Sequence, residues 1–123
     1  MPANADLLAF IRGSFRSIWS MELLLLLKSD PARFWPPGEL VAALRGSDAV
    51  VAQSLASLVA AGLVLEEKDD RVRYAPATDE IAALANQAET YYASKPDAVR
   101  RLIVQASQDQ LRAFSDAFRL RKD

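Results

Sequence analysis

Few side chains in this sequence are of a type and spacing that could do chemistry. Glu66, Glu67, Asp69 and Asp70 crowd one short stretch and could hold a hard cation. The glycine and the spaced ligands of a calcium loop are missing, so a solvated hairpin tip is the plainer reading. Tyr91 and Tyr92 are adjacent, and Trp19 and Trp35 supply two indoles. Stacking on a planar ligand is open to all four, core or interface packing is the more ordinary role, and an apolar pocket near Trp19, Phe34, Trp35 and Tyr91 is conceivable on aromatic content. Cysteine and histidine are both absent. That removes disulfides, most zinc, haem and iron–sulfur sites, and every histidine-dependent triad. No set of nucleophile, base and stabiliser is recognisable, so the sequence predicts binding without catalysis, cofactor or metal.

Those residues must be positioned by one domain. At 123 residues and 13.5 kDa the chain is too short for two ordinary domains, and 51% hydrophobic with 25% charged residues describes a folded protein. The start, MPANADLLAFIRGS, lacks the early basic residues and uninterrupted apolar core of a secretory signal or lipid anchor. Glu22 and Lys28 bracket a leucine run far short of the ~18 residues that span a bilayer. The expectation is a cytoplasmic protein with no membrane partner.

The stretch 46–74 organises the rest. A tight turn at Gly46 leads to a helix over 47–61, capped by Ser47 or Asp48, and then to a hairpin turning at Asp69 and Asp70. Val51, Leu55, Leu58 and Gly62 recur at spacings of three and four, so one stripe faces a core. Upstream, the pattern predicts a helix over 14–29 with Phe15, Ile18, Trp19, Leu23 and Leu26 on one face and a second half apolar nearly all round. Pro36, Pro37 and Gly38 open a short helix over 39–45, with Leu40, Val41 and Leu44 inward. A leading helix over 4–11 stops or kinks at Gly13. After the hairpin, Thr78 caps a helix with Ile81, Leu84, Ala88 and Tyr91 or Tyr92 as its stripe. Pro96 starts the last helix, which runs to about Leu120 or breaks at a capping box formed by Ser107 and Gln110.

The order helix, extended Phe34-Trp35, helix, three-residue turn, helix, hairpin resembles the winged helix-turn-helix family, bacterial transcription-regulator type with appended C-terminal helices. Residues 14–76 carry the resemblance. Its specific part is SLASLVAAGLVLEEKDDRVRYAP, in which Ala61-Gly62-Leu63 ends a helix directly into the wing. The expected fold is therefore mainly α with a small β-hairpin wing: an N-terminal helical extension over 1–13, a winged helix-turn-helix domain over 14–76 and two C-terminal helices over 77–123. The resemblance implies a DNA-binding transcription regulator with its second helix of the motif in the major groove. Carried over by position, the groove-facing residues are about Asp48, Ala49, Ala52, Gln53, Ser54, Ala56 and Ser57. Of these Gln53, Ser54 and Ser57 can hydrogen-bond a base edge, with Gln to adenine a reasonable pairing. Arg71 and Arg73 alternate outward in the wing, and Arg45 precedes the turn, so these are the expected phosphate contacts.

Charge departs from that pattern. No Lys or Arg occurs between positions 47 and 65, and the wing over 66–73 has four acids against three bases. Residues 1–94 hold eight Lys plus Arg against twelve Asp plus Glu, and residues 95–123 hold seven against four. An acidic body opposes approach to phosphates. The alternative is a winged helix that has lost DNA binding and docks another protein through the small face Ala49, Ala52, Ala56 and Ala60. The last helix offers Val99, Ile103, Leu111, Phe114 and Phe118 as a homodimer seam; packing of the same residues within one chain is the competing arrangement. The basic end RLRKD suits a helix C-terminus, and could also touch phosphate or an acidic partner.

Overall fold

The computed structural model describes residues 5–121, with side chains as far as 113. Its described residues are mainly helical: α1 (Ala5–Ser14), α2 (Ile18–Ser29), α3 (Pro37–Leu44), α4 (Asp48–Ala60), α5 (Asp79–Ser94) and α6 (Pro96–Arg121), with strands β1 (Val64–Glu66) and β2 (Val72–Tyr74) between α4 and α5. The strands pair antiparallel with Leu65 opposite Arg73. On its other side β2 meets Trp35, whose N–H donates to Val72 O at 2.8 Å while Val72 N–H returns to Trp35 O at 2.9 Å.

The core forms around α2. Leu23, Leu24 and Leu27 are fully buried, covered by α3, α4 and β2, because a helix apolar on most sides has no face to give to water. Its start differs from the periodicity-based expectation of one helix over 14–29. The chain breaks after Ser14, and Ser17 caps α2 by accepting from Ser20 N while Ser20 Oγ accepts from Ser17 N, both at 3.3 Å. The break turns Trp19 out to 39% exposure and puts Ser20 and Met21 inside. Polar ties fix α2 to α5: Lys28 Nζ lies 2.6 Å from Glu89 Oε1, and the Tyr92 hydroxyl donates to Glu22 Oε1 at 2.7 Å. Burial, then the bond to Glu22, raises the Tyr92 phenol above its ordinary value.

Helix α1 is part of this core and not an extension. It runs through Gly13, where the sequence predicts a stop, and buries Leu7 and Ile11 with the following Phe15. The edge of Phe10 meets Phe15 at 5.9 Å between ring centroids. These side chains are covered by α5 and α6, so Val99 and Ile103 belong to the same buried cluster. That corrects the expectation of a free seam at Val99 and Ile103: the apolar face of α1 takes them first. Helix α6 is also continuous through Ser107, whose hydroxyl does not cap but donates to the Arg16 carbonyl at 3.0 Å. Leu111 is 67% exposed, and the side chains of Phe114 and Phe118 lie outside the described residues.

The two motif helices are bounded by local chemistry. Pro37 sits in the first turn of α3, where its missing N–H costs nothing, and Arg45 ends the helix in a left-handed conformation at φ 56°. Ser47 Oγ then accepts from Val50 N at 3.1 Å and starts α4. Gly62 ends it at φ +77°, where a Cβ would also stand 3.3 Å from Ala77 Cβ and from Ile81 Cδ1.

Ile103→Ala is expected to cost about 2–5 kcal/mol, and Leu111→Ala less than about 0.5 kcal/mol. Urea unfolding of both variants at a protein concentration low enough to keep the chain a monomer checks this, and equal losses would contradict the placement of α6.

Candidate nucleic-acid interface

The outward side of α4 follows from its inward one. Val51, Leu55 and Leu58 point to the core, which leaves Ala49, Ala52, Gln53, Ala56 and Ala60 exposed, as their spacing implies. Gln53 is the long polar side chain on that face. Ser57 is half-buried, and its hydroxyl donates back to Ser54 O at 3.0 Å, a bond that competes with any base contact. Ser54 is not on the outward face: it is 4% exposed, between Val51 and Leu58 on the core stripe. The groove-facing set was carried over by position from the winged-helix resemblance, and Ser54 falls in it although its spacing from Val51 and Leu58 puts it on the buried stripe.

The hairpin places Val72 and Tyr74 inward, with Arg71 exposed and Arg73 half-buried. Asp70 takes φ 68° in the turn, and Glu67 N–H closes it on Arg71 O at 2.8 Å. The pairing of Trp35 with Val72 brings a further segment to this surface. Phe34, 37% exposed, has the guanidinium carbons of Arg71 and Arg73 each 5.3 Å from its ring centroid. Arg33 lies over the Trp35 ring at 3.5 Å. Three arginines and two aromatic rings thus meet at the root of the hairpin, an arrangement worth about 0.5–1 kcal/mol per exposed cation–ring pair. Sequence reasoning found Arg71 and Arg73, missed Arg33, and set Phe34 in an apolar pocket with Trp19, Trp35 and Tyr91 instead of beside these arginines, which lie far from it in the chain. The alternation Arg-Phe-Trp before two prolines was the available signal.

These arginines differ in what already holds them. Arg71 Nε lies 2.6 Å from Asp69 Oδ2, and Arg33 pairs with Glu39 Oε2 at 3.2 Å. Arg73 has no carboxylate partner among the described residues, and its Nε is buried without a hydrogen bond, as is Trp35 Nε1. Asp69 titrates below its ordinary value of 3.8: desolvation, the largest single effect, raises it, and the hydrogen bonds and charge of Arg71 together lower it by more. Arg45 is exposed at the end of α3.

Other anticipated features separate in space. Trp19 lines a cleft with Arg16, Ser17, Val50, Gln53 and Ser54, and neither Phe34, Trp35 nor Tyr91 contributes to it. Among the described residues no cluster of His, Cys, Asp and Glu converges as a metal site, and no described helix is long and apolar enough to cross a membrane. Comparisons with protein-family models, curated proteins and solved structures find no significant match. The functional reading therefore rests on this geometry.

Because the folded pKa of Asp69 is depressed, its ion pair with Arg71 is expected to be fully formed above pH 3.8 and lost as the pH falls through the lower folded value. The carboxyl carbon of Asp69, followed by NMR, is expected to titrate below 3.8 and to return toward it in Arg71→Gln. An unchanged midpoint in that variant would remove the pair.

Proposed function

We propose that the chain is a winged-helix protein that binds duplex DNA as a homodimer and acts in transcription regulation. The observation that carries this is the placing of Arg33 on Trp35 and of Arg71 and Arg73 on Phe34 at the hairpin, which packs against α4 through β1. The element order supports it: a helix, an extended residue paired to the hairpin, two helices joined by a short turn, and the hairpin itself. A helix of about 10–12 Å diameter matches the major groove, and small alanines let its backbone approach the base edges. Gln53 is the base-reading side chain on this face, with Ser57 free to join only by giving up its bond to Ser54 O. The aromatic rings hold the guanidinium groups in place, and phosphate oxygens accept from them. Arg73 is the strongest of these contacts, since no carboxylate has to be displaced, and Arg45 is the flanking one.

The homodimer reading now rests on the far half of α6. Val104 and Leu111, seven residues apart and so on one side of the helix, are both exposed. Two copies joined there would present two α4 helices, as a palindromic site requires. A second reading is favoured by one observation: the exposed face of α4 carries no cation and includes Val59 at its end. In that reading the face Ala49, Ala52, Ala56 and Ala60 receives a helix of another protein.

Fluorescence anisotropy with a mixed-sequence duplex, at about 50 and 200 mM salt, tests the DNA reading. Saturable binding with a log–log salt slope of about −5 to −7 is expected for three or four phosphate contacts from each protomer of the dimer. Arg71→Glu with Arg73→Glu is expected to weaken binding at least about tenfold and to flatten the slope by about 2 per protomer. Wild-type binding absent at 100 µM, roughly the weak end of non-specific affinity, would reject the DNA reading, and loss of a protein partner in Ala56→Arg would replace it. For the dimer, light scattering should give twice the 13.5 kDa chain mass, and Leu111→Glu should return it to 13.5 kDa.

A further inference from the structure

The cleft between the start of α2 and the outer side of α4 has a volume of about 150 Å³ and is lined by Arg16, Ser17, Trp19, Val50, Gln53 and Ser54. None of these residues is acidic. Ser54, 4% exposed, adds its hydroxyl as a polar group to the lining. The exposed Arg16 guanidinium spends one donor on Gln110 Oε1 at 3.3 Å, so most of its five-donor fork is free. The Gln53 amide adds further donors, and the exposed face of Trp19 forms an apolar wall. The Arg16 backbone is itself anchored, because its carbonyl accepts the Ser107 hydroxyl at 3.0 Å.

Three residues whose side chains carry donors, one of them cationic, thus line a space of the size that admits a small molecule. We propose that this cleft is a phosphate-binding site, in which Arg16 supplies the charge, Gln53 and Ser54 donate to the remaining oxygens, and Trp19 packs against the carbon skeleton that bears the phosphate. The group is a backbone phosphate of DNA or the phosphate of a small ligand. Only the DNA source rests on the reading above. In that case Arg16 is the cation that α4 itself lacks, and of the two Gln53 amide N–H donors one meets the phosphate while the other, with the amide oxygen, is left for the base edge.

The test is NMR of the full ¹⁵N-labelled chain, titrated separately with inorganic phosphate and with a mixed-sequence duplex at matched ionic strength. Saturable shifts of the Trp19 indole N–H and the Gln53 side-chain amide are expected in at least one titration. They should disappear in Arg16→Gln, which keeps the backbone anchor, and the apparent affinity should fall about tenfold in Ser54→Ala. Shifts with the duplex alone assign the phosphate to DNA. Shifts with inorganic phosphate alone assign it to a small ligand and uphold the site even where DNA binding fails. Absence of saturable shifts in both wild-type titrations, or shifts that survive Arg16→Gln in a folded variant, would overturn the site.

Discussion

The rest of the structure depends on the burial of α2. Leu23, Leu24 and Leu27 occupy more than one side of the helix, so no rotation leaves an apolar-free face for water. Covering it takes α3, α4 and β2 together, and each has to be held at a set angle by its own termini. The Ser47 cap, the left-handed residues Arg45 and Gly62, and the Trp35–Val72 bridge supply those angles. The consequence reaches the surface. Once Val51, Leu55 and Leu58 are committed to α2 and the core, the face bearing Gln53 and the alanines has no choice but to look outward. Fully burying each aliphatic side chain contributes about 1.5–3 kcal/mol, more than helix propensity on the outer face can oppose.

The same core explains why α6 is divided in function along its length. Its first turns cover α1, whose Leu7 and Ile11 would otherwise be bare, and its later turns extend past the body with Leu111 open to solvent. A helix of 26 residues is about 39 Å long. The apolar pattern of one continuous helix thus serves an internal contact first and leaves Val104 and Leu111 exposed, the remainder on which the proposed dimer would draw.

Much of the local structure was legible in the sequence. Ser47, Thr78 and Pro37 mark helix starts by capping and ring geometry, and the alternation in Arg71, Val72, Arg73 and Tyr74 gives the faces of β2. The break before α2 was not legible, because Phe15, Ile18 and Trp19 keep helical spacing across it and the capping box uses Ser20 where Glu or Gln is the usual signal. Ser54 was misplaced because the groove-facing set came by position from the winged-helix resemblance, while its place on the stripe between Val51 and Leu58 decides burial. Arg33 was invisible as a site residue, and Phe34 was legible only as a pocket aromatic, because the non-local pairing of Trp35 with Val72 is what brings both to the hairpin. The spacing of Val99 and Ile103 allowed a homodimer seam or packing within one chain, and burial in the core shared with α1 takes the second.

A cation-free α4 fits DNA better when charge and shape are assigned to different elements. Two of the arginines near the hairpin are already paired, Arg71 at 2.6 Å and Arg33 at 3.2 Å, both far inside a screening length of about 8 Å. From a distance such pairs look neutral, so long-range attraction by this acidic body is weak. At contact the balance changes, since a phosphate can share a guanidinium fork with a carboxylate, whereas an arginine without an acidic partner, as Arg73 and Arg16 are among the described residues, gives its full charge. Slow approach followed by close contact favours sites where the smooth helix fits the groove over sites that merely carry phosphate. In the proposed DNA complex the alanine face and the acidic body, which each count against DNA binding when taken alone, would together trade non-specific attraction for selectivity by fit.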